Sequence, residues 1–426
     1  MNYRNLFLGC LMAITTSCNS LDVPPMNIIQ DNEAFESESG VTAYLVRLYQ
    51  DLPIEDFNCN HDGFNQAYNY PNSANYTGEM LSCEADAVRD NINGDKFQDW
   101  RYGSVRNVNY FLQHFPEYSA SFTSDQSNSW LGEAYFIRAY YYFSMVKRYG
   151  GVPIIKTVQN YPEQSIEELK VSRNSEKEVY DFIAEDLDEA IKLLPETSQS
   201  AGRVNKYVAY ALKSRAMLYA GTIAYNYDKN LSKGLILSSG VTGIDKSKAN
   251  EYLQKCLDAY WELEKMKQYS LYKVNADLAL NYTDLFLKKA ANPEIIFSKD
   301  YDGQNFLNYF TSRAICRAMK PSPKSGSEIS PTLNLVESYE NVSTRSLESI
   351  NPYNGDIQVE SMGMNTSTYD YKIYDNPEDI FKGRDPRLSA TILYPGSSFR
   401  GNALDFQAGL AVKSGDKFEF KSVQIM

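Results

Sequence analysis

Tyr68, Tyr70, Tyr76, Arg89 and Asn91 in residues 60–102, and Tyr301, Asn305, Tyr309 and Arg313 in residues 301–313, set planar rings beside short polar side chains. That mixture suits a ligand with flat C–H faces, which stack on rings, and a rim of hydroxyls, which pair with amides and guanidinium groups. Sugars have this chemistry. The nine residues are therefore the candidate ligand contacts, against the alternative that each ring merely pins its loop to the body of the protein. Trp100, at the end of the first stretch, falls inside a helical pattern and is expected in the core.

Other chemistries find less support. The two histidines, His61 and His114, lack metal-motif spacing and read as solvated or structural; His114 falls near a helix end, where a cation suits the dipole. Asn91, Asn93 and Asp95 alternate like the start of a calcium loop, but the glycine and closing glutamate are misplaced. The chain contains no G-x-S-x-G, P-loop or G-x-G-x-x-G motif. Carboxylates abound, so a glycosidase pair stays open, because its defining separation is spatial. No metal and no cofactor is expected.

The sequence has 426 residues, a net charge of -12, 34 tyrosines and a pI near 4.9. That balance argues against polyanion partners, nucleic acid above all, since affinity for phosphates comes from Lys and Arg. At the N-terminus, Arg4 precedes an apolar run from Leu6 to Ile14, and Thr15, Thr16 and Ser17 lead to Cys18. Residues 1–17 read as a secretory signal peptide too short to span a bilayer, and Cys18 as the residue left for acylation. Residues 18–30 would be the tether. Contact with a membrane is expected through that lipid anchor only. Cys59, Cys83, Cys256 and Cys316 form no C-x-x-C pair; if a disulfide exists, Cys59 with Cys83 is the first choice, because it would close a long loop.

The elements that must position the candidate residues are helices. Residues 31–51 pattern as the first, with Asp31 as a possible N-cap and Ala34, Val41, Leu45 and Leu48 on one side. The next runs from about Phe97 to Phe115. In 130–149, Leu131, Tyr135, Arg138, Tyr142, Met145 and Tyr149 recur at spacings of 4, 3, 4, 3 and 4, and Gly150, Gly151 and Pro153 stop the helix. Arg138 on that stripe needs acceptors and is read as a tie between helices instead of a ligand contact. Ser175 and Glu178 spell a capping box opening a helix that Pro195 ends. Residues 202–221 give an alanine-rich helix between glycines, and 247–267 another, buried through Ala249, Leu253, Cys256, Tyr260 and Leu263. These pairs resemble irregular tetratricopeptide repeats. Residues 52–96 and 281–426 lose the helical period, apart from a short pattern in TLNLVESYE.

Several blocks carry a family resemblance. GEAYFIRAYYYFSMVKRYGGVPII is similar to the signature helix of the SusD/RagB family, outer-membrane lipoproteins that capture nutrients for a transporter. CNSLDVPP resembles the family's mature start. Trp100, Tyr102, Asn107 and Asn109 resemble its preceding helix. YTDLFLKKAANPEIIFSKDYDG, residues 282–303, resembles a segment in which a short helix leads through Asn-Pro-Glu to a strand, here Ile295, Ile296 and Phe297. GRDPRLSATILYPG, residues 383–396, resembles a block in which Arg-Asp-Pro-Arg-Leu precedes a strand.

The resemblance implies a mainly α fold: an irregular tetratricopeptide-like helix-pair scaffold with a loop-rich, partly β ligand-binding region. It makes 31–426 a single SusD-like body, with the scaffold mainly in 31–51 and 97–280 and the ligand region in 52–96 and 281–426. The two ring-rich stretches would flank a glycan site. The implied protein is non-catalytic, lipid-anchored at the outer membrane and exposed at the cell surface, with an oligosaccharide ligand and a TonB-dependent outer-membrane transporter as partners. Peptide capture, as in the RagB branch, is the alternative on the same scaffold, and a secreted glycosidase is a third reading. Family members usually continue to a further C-terminal helix, whereas this sequence stops at KSVQIM, so that helix is expected to be missing.

Overall fold

A computed structural model describes residues 34–53, 77–81, 99–198, 200, 202–288, 292–301, 304, 314–315, 319, 330–348 and 376–404, and the backbone of 410–414 and 417–421. The described residues are mainly helical, as the family pattern implies. The chain divides into two compact units, one of 1–53 and 99–263, the other of 54–98 and 264–426.

In the first unit, α1 (Glu38–Gln50) begins at Ser37, whose hydroxyl accepts from the Gly40 N–H at 3.1 Å. Asp31 lies outside the described residues. Helix α2 (Tyr102–Tyr118) starts five residues later than the pattern suggested, and α3 (Ser124–Tyr149) starts six residues before Trp130. Thr123 and Gln126 form a capping box there, a signal in plain view ahead of the apolar run. Helix α3 is also more than one-faced: Trp130, Glu133, Phe136, Ala139, Tyr142 and Met145 are buried around its whole circumference. It is the central column, in contact with α1, α2 and α4 (Glu176–Leu193).

Aromatic edges lock this column. The Trp130 ring meets Phe115 at 5.7 Å and Phe122 at 4.9 Å, both edge-on, and Tyr142 meets Phe182 at 4.9 Å and 90°. Two buried charge clusters tie the helices. Arg138 grips Asp186 of α4 through Nε and Nη2 at 2.8 and 2.7 Å, and its Nη1 donates to Asn109 of α2 at 2.9 Å. Arg138 is the expected tie. Arg203 grips Glu133 in the same two-pronged way at 2.8 Å, and the Tyr49 hydroxyl of α1 donates to that carboxylate at 2.7 Å.

Helix α5 (Lys206–Tyr225) packs on α4 and does not stop at Gly221. A Cβ at Gly221 would lie 2.7 Å from Leu253 Cδ2, so this glycine provides a close approach for α6 (Ala249–Lys265), not an end. The buried face of α6 is Ala249, Tyr252 and Ala259, with Leu253, Cys256 and Leu263 half-buried. Tyr260 is exposed, contrary to expectation: it shares the face of Leu253 but stands two turns further along, past the contact at Gly221, and Trp261 beside it is exposed as well. Cys256 is a free thiol 3.4 Å from the Ser214 hydroxyl. Cys18, Cys59, Cys83 and Cys316 lie outside the described residues.

The second unit contains α7 (Leu278–Leu287), α8 (Leu333–Glu337) and α9 (Arg387–Thr391). Among the described residues, three two-stranded antiparallel pairs accompany them: β1 (Met80–Leu81) with β2 (Ser330–Pro331), β3 (Ser398–Phe399) with β4 (Asn402–Ala403), and β5 (Leu410–Ser414) with β6 (Lys417–Lys421). Val336, Leu388 and Ile392 form a small core that Leu335, Tyr339, Phe381 and Tyr394 cover. Two expected strands are not formed. Residues 293–297 make turns and bends, since Pro293 O and the Glu294 carboxylate are used by the N–H groups of Ser270 and Tyr272. After Arg384-Asp385-Pro386 the chain enters α9, because Pro386 at the N-cap is compatible with a helix start and Asp385 accepts from the Arg387 N–H.

Candidate functional site

The site begins where α3 ends. Lys147 and Arg148 lie in its last turn, and Gly150, at φ 70°, turns the chain away. Gly151 then passes so close to the next segment that a Cβ would lie 2.0 Å from Asn174 O. Arg173 caps the corner, donating to Tyr149 O at 2.5 Å and to Gly151 O at 2.7 Å. A guanidinium is well placed there, because the last carbonyls of a helix lack intrahelical partners and carry its negative end.

Tyr149, fixed by this corner, is the backing for Trp100. The two rings lie 4.0 Å apart and within 10° of parallel. Tyr102 lies 5.9 Å from the indole at 22°, its hydroxyl donating to Pro153 O at 2.8 Å. The Tyr149 oxygen accepts the Asp99 N–H at 2.5 Å, and burial holds both phenols above their ordinary pKa, so they are neutral at physiological pH. Asp99 pairs with Arg101 at 2.6 Å and accepts from the Ser144 hydroxyl at 3.4 Å.

Trp100 nevertheless remains 49% exposed. The expectation that it lies in the core of a helix is therefore wrong. Helix α2 begins two residues after it, and its buried stripe runs through Val105, Val108, Phe111 and Phe115. On an ideal helix Trp100 would fall about 140° from Val105 but only about 20° from Phe111, so the period alone does not separate it from the stripe; its exposure follows from the helix starting after it.

Of the nine candidate contacts, only Tyr301 is described: it is half-buried, with the Lys299 ammonium 5.8 Å from its ring centre. Tyr68, Tyr70, Tyr76, Arg89, Asn91, Asn305, Tyr309 and Arg313 lie outside the described residues, as does His61. His114 stacks on Tyr110 at 4.2 Å, a structural role. Among the described residues no group of three or more His, Cys, Asp or Glu is placed to hold a metal. No described helix is long and apolar enough to cross a membrane.

Fold and site together define a class: a helix-pair scaffold that fixes an open aromatic platform. Residues 20–218 match the family model for starch-binding proteins associating with the outer membrane, and residues 293–423 match that of the SusD family. Together the matches cover more than three quarters of the sequence, and the chain belongs to the SusD/RagB family.

A SusD-like protein of Formosa agariphila is 26% identical over 232 residues, 51% of this chain and 43% of that one. Among solved structures, a SusD-like protein from Bacteroides fragilis aligns with a TM-score of 0.62 at 24% identity, over 87% of this chain and 63% of its own. A SusD-like carbohydrate-binding protein of the same species gives 0.55 at 20%, over 87% and 62%. At these identities the likeness is one of fold. The chain spans less than two thirds of the length of each.

Proposed function

We propose that this protein is a non-catalytic cell-surface receptor that binds an oligosaccharide and delivers it to a TonB-dependent outer-membrane transporter. The observation that carries the reading is the half-open Trp100 ring lying flat on Tyr149. Because the protein has already fixed the indole, a sugar face stacking on it meets little ordering cost. Asp99 and Arg101 beside the ring supply an acceptor and donors for hydroxyls. The nine loop residues named from the sequence are proposed as ligand contacts in their own right, and lipidation at Cys18 to hold residues 31–426 at the outer membrane through the tether. The family's description as starch-binding and outer-membrane-associated supports both parts.

Isothermal titration against neutral oligosaccharides and peptides tests the reading. At least one oligosaccharide should bind, and Trp100→Ala should weaken it about tenfold or more, as expected for a central aromatic anchor, while the melting temperature stays within about 2 °C. Heat with peptides alone would replace the sugar by a peptide. Release of shortened sugars, lost when one carboxylate is changed, would make the protein a glycosidase. Labelled palmitate should enter the wild type and not Cys18→Ala.

A further inference from the structure

The second unit has a cavity of its own, about 350 Å³, between α7, the turn after α8 and the start of α9. Its walls carry the rings of Tyr282 and Tyr339 and the polar groups of Ser338, Glu340, Asp385 and Arg387, over an apolar floor at Leu335. The volume lies at the small end of the range for ligand sites and accommodates one or two sugar rings.

The walls are held from behind. Arg384 donates to Tyr339 O at 2.9 Å and to Glu348 O at 2.6 Å, the Asp385 N–H donates to Glu340 O at 2.8 Å, and the Val342 N–H donates to Gly383 O at 2.8 Å. The segments bearing Tyr339–Glu340 and Asp385–Arg387 are thus cross-linked backbone to backbone. Beneath them lies the core of Val336, Leu388 and Ile392, and the Tyr339 hydroxyl is bonded to that of Thr391 at 2.8 Å. Arg387 is set by Asp385, which takes its Nε at 2.9 Å and its Nη2 at 2.6 Å, and both tyrosines lie near enough to act on its charge. Its side chain stays 60% exposed, so its remaining N–H donors face outward.

We propose that this cavity is a second saccharide subsite, for a short neutral sugar. It takes its ligand class from the receptor reading above but uses none of that site's residues. Two rings offer stacking faces, Arg387 donates, and Glu340, Asp385 and the Ser338 hydroxyl oxygen, whose proton goes to Leu335 O at 2.6 Å, accept, which are the functions that ring C–H faces and hydroxyls require. Charge selects within the class. Two carboxylates against one guanidinium leave the lining negative, and Arg387 is already neutralised by Asp385, so an acidic sugar is repelled.

The test uses the full chain with tyrosine rings labelled with carbon-13 at the ε positions. Signals of Tyr282 and Tyr339 are identified by their loss in Tyr282→Phe and Tyr339→Phe, and Trp100 fluorescence, identified with Trp100→Phe, is read on the same samples. The probes are methyl β-glucopyranoside, methyl α-mannopyranoside, maltotriose, cellotriose and methyl β-glucuronide. The two tyrosine signals should shift saturably with at least one neutral probe, and at least tenfold more weakly with the glucuronide. Arg387→Ala should weaken the neutral probe about tenfold, the loss of a charged hydrogen bond, without altering the Trp100 response. Glu340→Gln, at an exposed side chain, gives the same reading without risk to the fold. Trp100 responding while both tyrosines stay still would overturn the subsite and leave the receptor reading standing. Tyrosines responding while Trp100 is silent would keep the subsite and remove the platform. Silence at both, with every probe, would overturn both, and glucuronide binding as well as glucose would overturn the charge argument.

Discussion

Replacing Arg138 by Met keeps the apolar stem of the side chain and removes its charged head. Asp186 loses two charge-assisted hydrogen bonds of 2.8 and 2.7 Å in a site where its side chain is only 4% exposed, and Asn109 Oδ1 loses its donor. Breaking a buried pair from one side costs about 3–5 kcal/mol, because the remaining charge stays buried without compensation. At about 2–4 °C per kcal/mol for a domain of this size, the melting temperature should fall by roughly 6–20 °C. The double variant Arg138→Met/Asp186→Leu should recover most of that, since apolar replacements of buried pairs are often neutral or better. Acidity supplies a second check. Burial raises the Asp186 carboxyl above the usual carboxylate range, and the Arg138 hydrogen bonds oppose that rise. In the variant the Arg138 contributions are gone, and burial is opposed only by the Lys156 charge. A carboxyl that holds its proton more tightly folded than unfolded gains stability as pH falls toward its unfolded pKa of about 3.9 and loses it as pH rises through the folded value. The deficit measured by urea unfolding should therefore shrink between pH 7 and pH 5. A loss under about 1 kcal/mol at pH 7, with no change on acidification, would refute the tie; lost sugar binding at unchanged stability would make Arg138 a ligand contact.

Gly151→Ala should cost about 1–3 kcal/mol or more in a denaturant melt, because the new Cβ meets backbone atoms, Asn174 O at 2.0 Å and Ser175 C at 2.7 Å, that cannot swing aside; an unchanged midpoint would contradict the corner geometry. Ser175→Ala should cost about 1 kcal/mol as the capping box opens. Hydrogen bonds from the Ser175 backbone and side chain hold the Glu178 carboxyl below the usual range, so its contribution is present above its unfolded pKa and lost as pH falls through the folded value. The gap between Ser175→Ala and wild type should therefore narrow below about pH 4.3, and a gap that widens there would be inconsistent with the cap. Tyr149→Ala should weaken glycan binding more than Tyr149→Phe does, because Phe keeps the 4.0 Å stack on Trp100 and loses only the acceptor for Asp99; equal effects in titration would show that the stack does not position the indole.

What could be read from the sequence was whatever is encoded within a turn or two of chain. The Ser175–Glu178 cap and the Gly150-Gly151-Pro153 stop are local patterns, and both stand where the sequence put them. The pairing of Arg138 was inferable because an arginine on an apolar stripe has few alternatives, although nothing local named Asp186, 48 residues away. Failures came where the deciding partner is distant. Ile295–Phe297 has the composition of a strand, but a strand needs a neighbour, and the polar groups of Pro293 and Glu294 were taken by Ser270 and Tyr272. Tyr260 fits the apolar period of its helix as well as Leu253 does, and what separates them is that Leu253 meets a distant partner, Gly221, whereas Tyr260 two turns on is left exposed. Most of the loop contacts named for the ligand lie outside the described residues, and they rest on composition alone.

Trp100 changes the role of the signature helix. Read as sequence, α3 is support: its rings are at core spacing and the candidate contacts are elsewhere. In the structure its last residue, Tyr149, is the surface on which the exposed indole lies, and its own position follows from Gly150, Gly151 and Arg173. The features that end the helix therefore also aim the platform. A glycine pair that could be replaced wherever a chain simply turns is needed here, because the close approach to Asn174 and the cap by Arg173 fix the backbone that carries Tyr149. Scaffold and site meet at this corner, and a substitution there should change stability and ligand affinity together, whereas one at Arg138, deep between α2 and α4, should change stability first.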